Sequence, residues 1–502
     1  MNNQHLDVLI IGAGLSGIGA AAQLRRECPK KSFALIERRS SMGGTWDLFR
    51  YPGIRSDSDM FTLGYSFKPW KEEKSIASGG SILNYIKETA ADYKLDDHVH
   101  YGRKVVSVSW STPKALWTVT TEQEKDGTQE IFTCNYLIGC TGYYNYDAGF
   151  TPNFPGVDNY KGQIVHPQKW SSDIDYSNKK VVIIGSGATA VTLIPAMADA
   201  TSHITMLQRS PTYVATVPEK DIISIQLRKF LPEKLVYKMA RTRNVGIQRA
   251  VYKLSKHRPK TMRSLLLAVT KRQLGPDFDM KHFTPTYNPW EERLCAVPNG
   301  DLFKVLKEGK ASVVTDTIKT FTETGILLTS GEALDADIIV TATGLDLQML
   351  GGITPTVDGK DIKISESLIY KGAMLSRLPN LSMIFGYTNS SWTLKADMVN
   401  EFTCRLLNHM EKEGISYCVP EAKATDISTG PFLDLQSGYV VRAADKLPRQ
   451  GNSTPWKVVQ DYFHDIPILK YSQIDDGILL FSESKKRKQK GLFSNIRASL
   501  SS

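Results

Sequence analysis

Two short apolar runs, Val8 to Ile11 and Val181 to Ile184, each lead straight into a glycine-rich turn and then into a stretch with helical spacing. Around the first, the pattern predicts a strand, a helix from about Ser16 to Arg26 and a second strand from Ser32 to Glu37, the opening of a doubly wound sheet. Alternating positions then predict strands at Trp117–Thr121 and Ile131–Ile138, with Asp126-Gly127 as the turn between them. The tyrosine- and proline-rich passage Tyr143 to Pro155 reads as a linker. A second unit begins near Tyr160, and its sheet breaks off near Val217. From about Lys220 to Gln273 the spacing turns helical and the charge strongly basic. Strand patterns follow at Ala311–Val314, Ile326–Leu328 and Ile338–Val340, the last running into Thr341-Ala342-Thr343-Gly344.

The two turns are Gly12-Ala13-Gly14-Leu15-Ser16-Gly17 and Gly185-Ser186-Gly187-Ala188-Thr189-Ala190. Small residues there let the backbone approach a pyrophosphate, and the N-terminal dipole of the following helix favours its negative charge. A residue about twenty positions further on selects the nucleotide. Glu37 suits ribose hydroxyls and would repel a 2′-phosphate, whereas Arg209 with Ser210 offers a cation and a hydroxyl to one. The first site therefore reads as FAD and the second as NADPH. One glycine turn can arise from packing alone; two, each in strand–turn–helix context, are harder to explain that way.

The expected fold class is α/β, with two doubly wound (Rossmann-like) dinucleotide-binding domains and an inserted helical subdomain. The simplest division gives 1–150 and 346–502 to an FAD-binding domain in two segments, 151–217 and 292–345 to an NADPH-binding domain, and 218–291 to the helical insertion. At 502 residues the chain fits two or three domains, and 41% hydrophobic with 23% charged residues is an ordinary globular balance. No apolar run approaches the roughly eighteen residues of a membrane span. The polar start, Met1 to His5, leads directly into the first strand, so a cytoplasmic protein is expected. Six cysteines are scattered without a CxxC pair, which leaves neither a zinc site nor the dithiol that a disulfide reductase needs.

Two longer motifs narrow the field. Tyr160-Lys161-Gly162-Gln163-Ile164-Val165-His166-Pro167-Gln168-Lys169-Trp170 resembles the FxGxxxHxxxW pattern of Baeyer–Villiger monooxygenases, with tyrosine for the leading phenylalanine. Gly43-Gly44-Thr45-Trp46, Tyr51-Pro52-Gly53 and Asp57 fit that family's second pattern in order and spacing. The resemblance covers nearly the whole chain and is greatest to the ethionamide-activating branch of these class B flavoprotein monooxygenases.

The resemblance implies an FAD- and NADPH-dependent oxidoreductase that uses molecular oxygen, by way of a C4a-peroxyflavin, to convert ketones to esters, with sulfoxidation of thioethers or thioamides as a second activity. It implies that Arg293 is the catalytic cation and that Asp57 orients it. It also places Gly12, Gly14, Gly17, Glu37, Gly44, Thr45, Trp46 and Asp57 around FAD, and Gly185, Gly187, Ala188, Thr189, Ala190, Arg209 and Ser210 around NADPH. Some relatives carry a lysine beside the arginine; Glu292 stands there in this chain. Plainer roles remain open: Arg293 as a structural ion pair, His166 as a hinge or hydrogen-bonding residue, Trp170 as a core aromatic. So do other reactions, namely flavin N- or S-oxygenation or long-chain alkane oxidation, and a nucleotide-binding redox sensor outside catalysis.

A formal charge of +10 invites a nucleic-acid or membrane reading. No nucleic-acid motif is present, and aromatics are not interleaved with the basic residues as a stacking platform requires. The basic helical stretch and the tail Lys485-Lys486-Arg487-Lys488-Gln489-Lys490, followed by Leu492, Phe493, Ile496 and Leu500, suit an anionic bilayer surface better. A solvated tail is the alternative. The expected partners are a small hydrophobic carbonyl or sulfur compound, molecular oxygen and the inner face of a membrane.

Overall fold

The computed structural model describes residues 4–292, 294–432 and 437–483. The basic tail from Lys485 and the expected catalytic Arg293 lie outside them.

The chain opens with β1 (Gln4–Ile11), α1 (Leu15–Glu27) and β2 (Phe33–Ile36), and after several short helices continues with β3 (Val99–His100), β4 (Arg103–Ser111), β5 (Leu116–Gln123) and β6 (Gln129–Gly139). Strand β1 is apolar on both faces, with Val8, Leu9 and Ile10 fully buried, as a central parallel strand must be. It pairs in parallel with β2 on one side and β6 on the other, while β4, β5 and β6 form an antiparallel meander. The chain returns to this layer late. Leu381–Met383 pairs in parallel with β6, and helix Trp392–Glu413 packs along α1. The Trp392 indole fixes that return by donating a 2.7 Å hydrogen bond to Ser16 Oγ in the first turn of α1.

A second sheet is wholly parallel, in the order Ala311–Thr315, His203–Gln208, Lys180–Ile184, Ile338–Thr341, Gln163–Val165. Helix Ala188–Met197 covers one face, and a small antiparallel meander, Ile318–Phe321, Gly325–Leu328 and Ala333–Asp335, packs with Tyr160 on the other. Tyrosine is tolerated at the fingerprint's leading position because its hydroxyl reaches the Ala336 carbonyl of that meander at 2.8 Å, so no buried polar group is stranded.

Tyr143 to Pro155 is not a plain linker. Tyr144–Gly149 is a strand, paired antiparallel with Leu345–Leu347, so the outgoing and returning connections between the two sheets run side by side. Its aromatics are there for packing: Tyr143 stacks on Trp392 and lies against Phe385, and Tyr144 meets Phe49 edge-on. The partner strand lies some two hundred positions away in sequence, which hides the pairing from a local pattern.

The basic stretch forms three helices, Ile222–Leu227, Glu233–His257 and Pro259–Leu274. It hangs on a parallel two-strand ribbon, Tyr213–Val217 with Leu294–Pro298. Arg241 anchors it to the first unit, donating to the carbonyls of Phe61 (2.9 Å) and Gly64 (2.7 Å) and pairing with buried Asp397 (3.1 Å). Among the described residues, no helix is long and apolar enough to cross a membrane.

Candidate functional site

The two glycine turns are built alike. Gly12 has a positive φ, and a β-carbon there would lie 2.5 Å from the Cys140 carbonyl oxygen. Gly185, also at positive φ, would drive a β-carbon into the Ala342 carbonyl. Cys140 and Ala342 each precede a Thr-Gly pair at the start of a connection between the sheets, so each turn packs against one crossing point. At the third motif position, Gly17 would collide with the Gly12 carbonyl, whereas the equivalent Ala190 is fully buried.

Helix α1 and helix Ala188–Met197 both start at a glycine, with no side-chain cap and no acidic residue in the first turn. The positive end of each dipole is thus offered to a ligand rather than to the protein. Gly187 makes this clearest: its φ is ordinary, and a β-carbon there would meet nothing within 4 Å. Packing of the chain therefore gives no reason for glycine at that position.

Glu37 ends the second strand pattern and is buried. Its carboxylate accepts hydrogen bonds from the amides of Ala13 (2.8 Å) and Arg39 (2.9 Å). Burial pushes its pKa up, opposed by those two amides. Beside it, Asp47 pairs with Arg39 at 2.6 Å and Arg50 at 3.1 Å; burial disfavours its charge, yet these partners hold it below the usual carboxylate range.

The segment from Gly43 to Asp57 joins the two turns. Gly43 N–H donates to the Ala13 carbonyl at 3.0 Å, and a β-carbon on Gly44 would sit 2.9 Å from Gly14 Cα. A β-carbon on Gly44 would also lie 3.3 Å from the Tyr146 hydroxyl, and Trp46 is half-buried against the first core. Five residues later the same segment belongs to the second core. Phe49 and Tyr51 pack with Val191 and Ile194, and a β-carbon on Gly53 would come 2.6 Å from Ala196 Cβ. The Tyr51 hydroxyl is pushed up to about 12 by burial, opposed by the nearby Thr189 side chain of the second turn. Arg55 then pairs with Asp301 at the start of helix Asp301–Lys307. Asp57 is exposed and close enough to Tyr51 for its charge to act there.

At the second turn, Ser186 Oγ lies 2.9 Å from Thr212 Oγ1, and Arg209 and Ser210 are both exposed beside it. Glu292 is half-buried; burial raises its pKa, and the positive charge of Arg209 opposes that rise. His166 sits where the sheets connect. Its Nε2–H donates to the Gly344 carbonyl at 3.3 Å, its Nδ1 accepts from Gln168 N–H at 3.2 Å, and burial depresses its pKa. Trp170 packs half-buried on the second core against Tyr176.

The structure brings together Gly12, Gly14, Gly17, Glu37, Gly44, Thr45 and Trp46 at one turn, and Gly185, Gly187, Ala188, Thr189, Ala190, Arg209 and Ser210 at the other. Residues that the sequence did not single out are Arg39, Asp47, Arg55, Tyr146, Thr212, Asp301 and Trp392. Asp47, directly after Gly43-Gly44-Thr45-Trp46, was the most accessible of these.

A family model described as flavin-binding monooxygenase-like matches residues 6–378. MymA of Mycobacterium tuberculosis is 55% identical over 485 residues, 96% of this chain and 98% of its own. EthA of the same species, an FAD-containing monooxygenase by name, is 52% identical over 482 residues, 96% of this chain and 98% of its own. Among solved structures, cyclohexanone monooxygenase from Rhodococcus sp. Phi1 bound to NADP+ aligns with a TM-score of 0.69 at 21% identity, over 84% of this chain and 88% of that one.

Proposed function

The chain belongs to the flavin-binding monooxygenase-like family, and from that premise we propose that it is an FAD- and NADPH-dependent monooxygenase of the Baeyer–Villiger type. In this reading it inserts one atom of dioxygen beside the carbonyl of a small apolar ketone to give an ester, with sulfoxidation of thioethers or thioamides as a second outlet. The observation that supports it best is the path of residues 43–53, which leave the first glycine turn and enter the core behind the second. A segment so placed suits an enzyme whose two nucleotides must react with each other.

The cradles fit the groups. Two uncapped helix ends without acidic residues, and an open position at Gly187, suit two pyrophosphates. Gly12, Gly14, Gly17, Gly44, Thr45 and Trp46 would hold FAD, with Glu37 accepting from its ribose. Gly185, Gly187, Ala188, Thr189 and Ala190 would hold NADPH, with Arg209 and Ser210 on its 2′-phosphate. When bound, the nicotinamide supplies hydride and the flavin the two-electron chemistry that activates dioxygen.

The remaining work falls to side chains. Arg293 would supply the cation for the reacting oxygen, because preorganised charge in a dry site outweighs anything water offers. Asp57 orients that guanidinium as a carboxylate partner. His166, neutral and bonded on both ring nitrogens, positions the connection between the sheets and transfers no proton.

Product mass decides among the reactions. The enzyme is supplied with NADPH and oxygen, together with ketones, thioethers, thioamides, amines and long-chain alkanes. An ester one oxygen heavier than its ketone supports the reading. Oxygenation of amines or alkanes alone replaces it, and no oxygenated product from any class leaves a redox sensor.

A further inference from the structure

The helical insert sorts its basic residues by type. Between Ile222 and Leu274 stand seven lysines and seven arginines against one acidic residue, Glu233, so the rest of this +10 chain is net acidic. Five of the arginines turn into the body. Arg241 pairs with Asp397, Arg243 with Asp221 and Arg249 with Asp461; Arg263 donates to Tyr213 Oη, and Arg228 to the carbonyls of Trp70 and Lys71. All seven lysines are exposed, and of them only Lys253 has an ion pair with the body, at 3.8 Å from Asp461, among the described residues.

That outer surface is also apolar. Of seventeen exposed large hydrophobic residues among the described part of the chain, ten lie between Ile222 and Val269. Phe230 is 83% exposed, Ile222 62%, Ile223 59% and Leu265 55%. Exposed apolar residues in this concentration mark an interaction surface. Its chemistry selects the partner. A protein interface core is depleted of lysine, and a nucleic-acid surface would turn arginines and stacking aromatics outward rather than spend its arginines within the fold. Exposed apolar side chains interleaved in sequence with exposed lysines suit a bilayer: the apolar groups enter the headgroup region while lysine stems lie along it and their ammonium groups meet anionic lipid.

We propose that the outer face of the insert, Ile222–Leu274, docks on an anionic lipid bilayer as a peripheral anchor, independently of the reaction assigned above. Arg241 and Asp397 are buried, whereas the docking side chains are exposed, so docking leaves the contacts with the first unit in place.

The test uses the full-length, FAD-loaded protein and its co-sedimentation with vesicles of phosphatidylcholine plus phosphatidylglycerol, against phosphatidylcholine alone, at low and high salt. Two exposed triple variants are compared, Lys229→Gln/Lys234→Gln/Lys238→Gln and Ile222→Ser/Ile223→Ser/Phe230→Ser; either alone decides should the other fail to fold. Each lysine near such a surface contributes about five-fold in partitioning, so the charge variant should bind anionic vesicles about a hundredfold more weakly. The apolar variant should lose the binding that persists at high salt. The proposal is overturned by wild-type protein that stays in the supernatant, or by vesicle binding unchanged in both variants, which would move the anchor to another part of the chain. It is equally overturned if the apolar variant dissociates a dimer in the absence of lipid, or if duplex DNA displaces the protein from vesicles while the apolar variant binds them as wild type does.

Discussion

The imidazole of His166 lies on the Cα of Gly149 so closely that a β-carbon on that glycine would overlap the ring. His166 opens one side of the junction between the sheets and Gly149 belongs to the strand on the other, where Gly344 supplies the carbonyl for Nε2. The ring is therefore neutral by construction, since a proton on Nδ1 would face the Gln168 N–H that it now accepts. A histidine whose folded pKa is depressed contributes stability that is present above the unfolded value of about 6.5 and is lost as pH falls through the folded value. Melting temperatures of wild type and His166→Gln should differ most at neutral pH and converge in acid. Parallel curves from pH 8 to about 5 would show that the ring does not titrate with unfolding.

Gly185 and Gly187 should respond in opposite ways to alanine. At Gly185 the positive φ and the Ala342 carbonyl both oppose a β-carbon, and Gly185→Ala should destabilise or fail to fold. At Gly187 the space is open, so Gly187→Ala should melt as wild type does, within about 0.5 kcal/mol. It should nevertheless bind NADPH more weakly, because the methyl group occupies the path of a pyrophosphate. Unchanged NADPH affinity in a folded Gly187→Ala protein would remove that turn from the nucleotide site.

The parts of this site that were legible in sequence are those whose chemistry is local. Glycine turns, the strand–helix rhythm around them and a charged residue about twenty positions on all lie within one supersecondary unit, and the described structure contains both units. What was not legible depends on partners far along the chain. Tyr144–Gly149 finds its strand at Leu345–Leu347, Ser16 its indole at Trp392, and Arg55 its carboxylate at Asp301. The path of residues 43–53 from one core to the other is of the same kind: the spacing of its motif was readable, but nothing local said that its two halves pack on different glycine turns.

Arg209 and Glu292 should act on NADPH in opposite directions. Charge-assisted hydrogen bonds contribute about 1.5–3 kcal/mol, so Arg209→Ala should weaken NADPH roughly ten- to a hundredfold and leave NADH nearly unchanged. Glu292 is near enough for the Arg209 charge to lower its pKa, and in the proposed reading its carboxylate opposes a 2′-phosphate there. Glu292→Gln removes that competition at a partly exposed corner, where such a pair contributes about 0.5–1 kcal/mol, and should tighten NADPH about two- to five-fold. Titration of each variant with both nucleotides checks this; equal losses for NADPH and NADH in Arg209→Ala would take Arg209 off the phosphate.

Arg293 carries the sharpest prediction, because its proposed task belongs to only one half of the reaction. In the proposed reading, flavin binding and hydride transfer rest on the two glycine turns, Glu37 and Arg209, so Arg293→Ala should still fold, bind FAD and oxidise NADPH. The step that needs a cation is oxygen transfer, and loss of one preorganised charge donor there typically costs about 2.7–4 kcal/mol, roughly a hundred- to a thousandfold in rate. Oxygen consumed by the variant should therefore leave as hydrogen peroxide while ester formation falls by that factor. Asp57→Ala should shift the balance the same way but less, since a misdirected guanidinium keeps its charge. Ester and peroxide are quantified against NADPH consumed in the same reaction. A variant that forms ester at the wild-type rate would exclude Arg293 from oxygen transfer, and one that loses NADPH oxidation in equal measure would assign it to nucleotide binding instead.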